Sequence, residues 1–378
     1  MDLRRRTTGG SYIPEIDGVR FIAILSVVLY HIAIQATDSV RTILFPSVHY
    51  GLRGVEVFFA LSGFILGLPF AKQDLLGGKK VRISAYFLRR LTRLEPPYIV
   101  LLLLRFALLV GAMHVAVRAL MPHFLATLGY VHSMVYGKMS SINPPVWSLE
   151  VEVQFYCLAP ILALVAFRGP KNWRRAGFLA VILALSIAQL WIGDVSRVRL
   201  SLLGNLQYFL AGFLVCDLYL TDWKRIPSHW GWDVIGLAAW GFVFGLGGTG
   251  WTIWSAVFIA IGIVSAFKGP IGSWFLSLPA ISIIGGMCYS IYLTHNLVLS
   301  SIVKVWRLGI PAGMVLELVA VGVVGLGYYM LLERPCMDKD WPSKLWSRLT
   351  GRKKEDQITT VEAPEADNHL KAAFQEKP

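Results

Sequence analysis

Ionisable side chains are scarce inside the apolar stretches of this chain, and the few that occur there are the ones that could do chemistry. Arg20 opens the first apolar stretch, and His31 lies deep in it, eleven residues on. On a helix that separation is about 16.5 Å along the axis and about 1100° of rotation, so the two side chains project within about 20° of each other. One wall of that helix therefore carries a cation at one end and an imidazole further in. His295 lies inside a second apolar stretch, Arg53 and Glu56 open another, and Glu150 and Glu152 open a fourth. Arg105, Asp217, Glu317 and Glu333 complete the set. In lipid each such group costs several kcal/mol, or about 2.5–3.5 kcal/mol on insertion scales, which makes each a functional candidate. A histidine with a carboxylate and hydrogen-bond donors nearby has the parts of a general base, an orienting group and an oxyanion stabiliser. A proton-coupled transporter would use similar residues. The plain structural alternatives are a histidine that bonds a neighbouring helix as packing glue and an arginine that anchors to the lipid headgroups.

The elements that must position these residues follow from composition. Of 378 residues, 55% are hydrophobic and 16% charged, and the mean hydropathy is +0.58. Soluble domains carry about 25% charged residues, so an aqueous globule is excluded, and disorder is excluded for the same reason. The 35 scattered glycines do not supply a collagen repeat. Continuous apolar runs also exclude a strand-built barrel. The fold class is all-α, a polytopic transmembrane helix bundle. Spans of about 20 residues are expected at 19–36, 52–71, 97–115, 147–167, 176–193, 200–220, 231–248, 250–267, 282–304 and 312–332. The stretch 118–135, interrupted by Pro122 and His123, reads as re-entrant or interfacial. Four cysteines lie far apart without a C-x-x-C pair, so neither a disulfide scaffold nor a metal site is indicated.

Net charge is +13, from 36 Lys and Arg against 23 Asp and Glu. The basic residues sit mostly between apolar runs, where they read as topology signals and not as a nucleic-acid surface. With the N-terminus inside, cytoplasmic connections hold 24 basic residues and outer ones 7. Both termini are therefore expected in the cytoplasm. The long run containing His31 suits a retained signal anchor better than a cleaved signal peptide. Residues 1–335 read as the transmembrane domain and 336–378 as a cytoplasmic tail, with an interfacial helix over 341–354 and disorder after about 355. No inverted repeat of the transporter kind is evident.

This topology predicts proximity by depth. His31 and His295 each lie about 13 residues into an outward-running span, roughly 20 Å from the inner face. Glu56, Trp147, Ser148 and Glu152 open inward-running spans and share the outer half. Sequence spacing leaves open which of them meet laterally. The inner connection at 81–95 alternates Phe87, Leu88, Leu91 and Leu94 with Arg89, Arg90 and Arg93, as an amphipathic helix would. Such an arginine cluster grips phosphates through its fork geometry or rests on anionic headgroups.

These residues fall in six ordered blocks that resemble the acyltransferase-3 family of integral membrane acyltransferases. They are EIDGVRFIAILSVVLYHI (Glu15 to Ile32), GLRGVEVFFALSGFILG (51–67), YFLRRLTRLEPPY (86–98), PPVWSLEVEVQFYCLAPIL (144–162), CYSIYLTHNLVL (288–299) and LLERP (331–335). The resemblance puts the family's glutamate on Glu152 and not on Glu150. Cys288 stands where serine is usual, and Thr294 where an aromatic is common. The hydrolase-like domain fused to some members is not expected here.

The resemblance implies transfer of an acyl group, by family default acetyl, from cytoplasmic acyl-coenzyme A to a hydroxyl of a cell-surface or lipid-linked glycan. The setting would be the cell (inner) membrane, with no metal and no nucleic acid. Arg20, Arg89, Arg90 and Arg93 are expected to hold the donor's phosphates. His31 would be the base, oriented by Glu152, with His295, Trp147 and Ser148 beside it. Arg53, Glu56, Ser62, Tyr289 and Tyr292 are expected to line the site. Direct transfer is preferred to an acyl-enzyme, for which Ser62 is the residual nucleophile. The alternative function is a proton-coupled transporter or flippase of a glycan or amphiphile, with His31, His295 and the glutamates as its proton relay.

Overall fold

A computed structural model describes residues 12–338 except 37, 193–194 and 303–309, together with Trp341 and Ser347. The helices described below belong to the unit Met1–Lys339. The interfacial helix expected over 341–354, apart from those two residues, and the tail beyond it lie outside the described residues, as do Arg4, Arg5 and Arg6. The chain opens with α1 (Pro14–Gln35), α2 (Asp38–Val48), a 3-10 turn (Gly51–Arg53) and α3 (Gly54–Leu76). Then come α4 (Ile83–Gly111), α5 (Val117–Leu128), α6 (His132–Tyr136), α7 (Trp147–Ala166) and α8 (Lys171–Ile192). The short α9 (Ser196–Arg199) precedes α10 (Leu202–Thr221), α11 (Gly231–Gly245) and α12 (Gly248–Lys268). The last elements are α13 (Pro270–Leu276), α14 (Pro279–Gly286), α15 (Cys288–Ile302), α16 (Ile310–Tyr328), a π-helical turn (Tyr329–Glu333) and α17 (Arg334–Cys336). No strand occurs among the described residues.

Each of the ten apolar runs is helical, but they are not ten straight spans. Among the described residues eight helices are long and apolar enough to cross a membrane, and a ninth candidate is the pair α14–α15, bent by 71°. The span expected at 282–304 is thus broken at Met287, where two glycines, Gly285 and Gly286, end α14. The run at 231–248 is helical for only 15 residues, about 22 Å of a core about 30 Å thick. The stretch read as re-entrant or interfacial holds α5 and α6, neither long enough to span.

The amphipathic helix and the third span are one element. α4 runs for 29 residues through Pro96 and Pro97. Each proline removes a backbone donor from the helix, which leaves carbonyls to be satisfied elsewhere. Tyrosines from the last two spans bond two other carbonyls of the same stretch: Tyr289 Oη to Leu94 O at 2.8 Å, and Tyr328 Oη to Pro97 O.

Small residues set the closest helix crossings, as is usual where lipid provides no hydrophobic drive between helices. α3 crosses α10 at Gly63 and Gly212. A Cβ on Gly212 would lie 2.1 Å from Ala60 O, and one on Gly63 2.1 Å from Phe209 O. α14 meets α1 in the same way, where a Cβ on Gly285 would lie 1.7 Å from Asp17 O. Gly212→Val is therefore expected to force α3 and α10 apart and to abolish the monodisperse peak of the detergent-solubilised protein on size-exclusion chromatography. An unchanged profile would mean that the crossing relaxes freely. Away from α1, Arg174 and Arg175 of α8 both pair with buried Asp217 of α10, the latter at 2.7 Å. These two arginines, read from sequence as topology signals, also clamp two helices.

Candidate active site

α1 is unbroken over 22 residues, so Arg20 and His31 keep the helical separation read from sequence. At the His31 end, the His31 ring lies 4.8 Å from that of His295 on α15, at 66°. His31 Nδ1 donates to Val27 O (2.8 Å) and His295 Nδ1 to Tyr292 O (2.6 Å). A carbonyl only accepts, so in each neutral ring Nδ1 carries the proton and Nε2 keeps its lone pair. His295 Nε2 is buried and has no hydrogen-bond partner among the described residues.

The orienting group on His31 is thus a backbone carbonyl and not Glu152, and no carboxylate among the described residues bonds either imidazole. Helix geometry explains this, because an i−4 carbonyl is always within reach of a side chain turned back along its own helix. Glu152 instead accepts from Ser62 Oγ (2.7 Å) and Tyr156 Oη (2.5 Å). Ser62 therefore has its hydroxyl committed to a carboxylate. Ser148 Oγ bonds Tyr292 Oη (2.7 Å), which donates on to Pro145 O (2.6 Å). This network ties the start of α7 to the turn of α15 that precedes His295. Trp147 packs edge-on to Phe59 at 6.2 Å, and its ring is not paired with that of His31 among the described residues.

At the other end of α1, Arg20 pairs with Asp17 at 2.6 Å. Arg93 of α4 pairs with buried Glu333 of the π turn at 3.5 Å. Glu333 also accepts from Ser290 N (3.2 Å) and Ser290 Oγ (2.7 Å). Arg20 feels the charges of Arg93, Glu333 and Glu152, so four spans converge on one cluster of alternating charge. Arg90 lies over the Tyr86 ring at 4.4 Å and lines a cavity of about 150 Å³ with Glu152, Tyr156, Tyr289, Glu95 and Tyr130.

Two expected site residues are elsewhere. Arg89 is exposed and is not brought to the others. Arg53 donates to Val243 O (2.7 Å) and Leu246 O, between Tyr50 and Trp251 at 3.7 and 3.9 Å, so it pins the end of α11. Glu56, one turn along α3, keeps a buried Oε2 without a hydrogen-bond partner among the described residues. Asp17, Ser290 and Tyr156 join the site without having been expected there, although all three lie inside the blocks quoted above. A second histidine pair is equally unexpected, His123 Nδ1 to His132 Nε2 at 2.9 Å. Burial pushes His132 below the usual imidazole range. Beside that pair, Glu150 accepts from Ser133 N (2.8 Å) and so holds the start of α6.

This fold defines a multi-pass membrane protein, with two imidazoles in contact at one end of α1 and two carboxylate-paired arginines towards the other. The acyltransferase domain family matches residues 13–334, and the chain belongs to that acyltransferase-3 family. It is similar to the exopolysaccharide production protein ExoZ of Rhizobium meliloti, 28% identical over 331 residues that cover 81% of this chain and 95% of that one. The O-acetyltransferase OatA of Staphylococcus aureus is 24% identical over 364 residues, 87% of this chain and 58% of that one. A further Staphylococcus aureus relative is 28% identical over 228 residues, 55% of this chain and 35% of its own. The chain thus spans only part of the Staphylococcus aureus relatives. No solved structure matches.

Proposed function

We propose that the chain is an O-acyltransferase of the cell (inner) membrane. It moves an acyl group, acetyl by family default, from cytoplasmic acyl-coenzyme A to a hydroxyl of a cell-surface or lipid-linked glycan. The observation that carries this reading is the pair of imidazoles at one end of α1 with Nε2 open on both, on the helix whose other end holds Arg20. His31 Nε2 takes the proton of the acceptor hydroxyl as its oxygen attacks the thioester carbonyl. The carbon–sulfur bond breaks, and the same proton passes to the leaving thiolate to give the free thiol of coenzyme A. The relatives' names, an O-acetyltransferase and an exopolysaccharide production protein, support the reaction class and the acceptor class.

Arg20, Arg90 and Arg93 hold the donor's phosphates, with Asp17 and Glu333 fixing Arg20 and Arg93. Arg93→Ala is accordingly expected to raise the KM for acetyl-coenzyme A at least tenfold, with Arg93→Lys recovering only part because the fork is lost. Arg89→Ala is expected to leave that KM unchanged. Both are read as release of free thiol by purified protein in liposomes supplied with acceptor. Equal effects of the two alanine variants would return the cluster to a headgroup-binding role. Acceptor movement without thiol release would indicate a flippase.

A further inference from the structure

Five aromatic rings follow one another from His31 along the segment that links α1 to α3. The His31 ring is 5.4 Å from Tyr30, Tyr30 is 5.8 Å from Phe45, Phe45 is 4.8 Å from His49, and His49 is 4.5 Å from Tyr50. Three of these four contacts are edge-to-face, at 85°, 82° and 68°. In each such pair the edge of one ring meets the face of the other, so no two rings bury a full face against each other. The core pair Phe155 and Phe209 is stacked at 4.0 Å and 21° and does bury its faces. The track is also incompletely covered: Tyr30, Phe45 and Tyr50 are half-buried and His49 is exposed. Tyr50 carries Arg53 over its ring and is thereby fixed at the far end, while Phe45 and His49 of the α2 region hold no such partner.

We infer that this track is the acceptor subsite and that it takes a saccharide. A pyranose presents a flat array of weakly positive C–H groups on one face, which fits the negative face of an aromatic ring. Its hydroxyls find polar edges at Tyr30 Oη and the His49 ring nitrogens. Each step of the track is about the width of one sugar ring, and its last ring is the imidazole assigned above as the base. A glycan laid along His49, Phe45 and Tyr30 therefore brings a hydroxyl towards His31. The inference rests on the acyltransferase reading for the role of His31, but the binding surface itself does not.

The test uses the fluorescently labelled oligosaccharide pool released from the host cell envelope, applied to the full-length protein in nanodiscs. Wild-type protein is expected to retain a fraction of the pool, and Phe45→Ala and His49→Ala to lose at least nine-tenths of that retention. Phe45→Trp, which keeps a ring, is expected to restore it and so to separate ring loss from misfolding. Equal retention by wild type and both alanine variants would overturn the subsite and leave the rings as interfacial anchors. No retention by wild type that still releases thiol from acetyl-coenzyme A in native membranes would overturn the saccharide assignment. Retention with the expected variant pattern, but no acyl mass added to the retained glycan, would keep the subsite and defeat the acyltransferase reading instead.

Discussion

His31→Ala is expected to lower acyl transfer by about 10²–10⁴-fold, the usual contribution of a general base, while the protein inserts and purifies as before. Stability is not expected to suffer, because the bond given up runs to Val27 O in the same helix. The imidazole's ring neighbours, His295 and Tyr30, meet it edge-to-face and without stacking. His31→Gln keeps side-chain volume and polarity without a titrating nitrogen, and is expected to be as inactive as the alanine variant. His295→Ala is expected to reduce transfer as well. If the two rings act as a unit, the double variant loses about as much as the worse single one, since residues that work together are strongly non-additive. Thiol release by purified variants in the presence of acceptor measures all four. Near-normal transfer by His31→Ala would remove the proposed base.

The second large effect is expected at Glu333. This carboxylate is fully buried, pairs with Arg93, and receives two donors from Ser290. Removing one member of a fully buried charge pair costs about 3–5 kcal/mol, and the cost here is smaller because the Arg93 side chain left behind is 26% exposed. Glu333→Ala is therefore expected to lower the melting temperature and to raise the KM for acetyl-coenzyme A by no more than Arg93→Ala does, since Arg93 loses its fixed position. Glu333→Gln can still accept from Ser290 but carries no charge, so it is expected to regain part of the stability and little donor affinity. Calorimetry and acetyl-coenzyme A titration separate the two. An unchanged melting temperature in Glu333→Ala would show that the pair positions nothing.

Hydropathy reveals the helices of this chain because a bilayer demands long apolar runs, and depth alone brings His31 and His295 to one level. Their contact across α1 and α15 also depends on helix rotation, which sequence spacing does not encode. The same gap hides the pairing of Arg93 with Glu333. The break at Met287 escapes a hydropathy reading because glycine is nearly neutral and methionine apolar, so neither interrupts an apolar run whether or not the helix continues. Arg53 resembles a site residue in sequence, since a cation near a span is costly wherever it sits, yet its bonds go to the carbonyls that end α11. Glu152 lines the cavity and Glu150 does not, but the partners of Glu152 are hydroxyls. The reason lies in α1, where the Val27 carbonyl already satisfies the imidazole that a carboxylate was expected to orient.

Mass spectrometry of the envelope glycans tests the central proposal most directly, in cells with the gene, without it, and with His31→Ala in its place. The expected result is a glycan carrying the mass of one acyl group, acetyl by default, only in cells with the unaltered gene. Identical glycan masses in all three, or an acyl increment that survives His31→Ala, would contradict it.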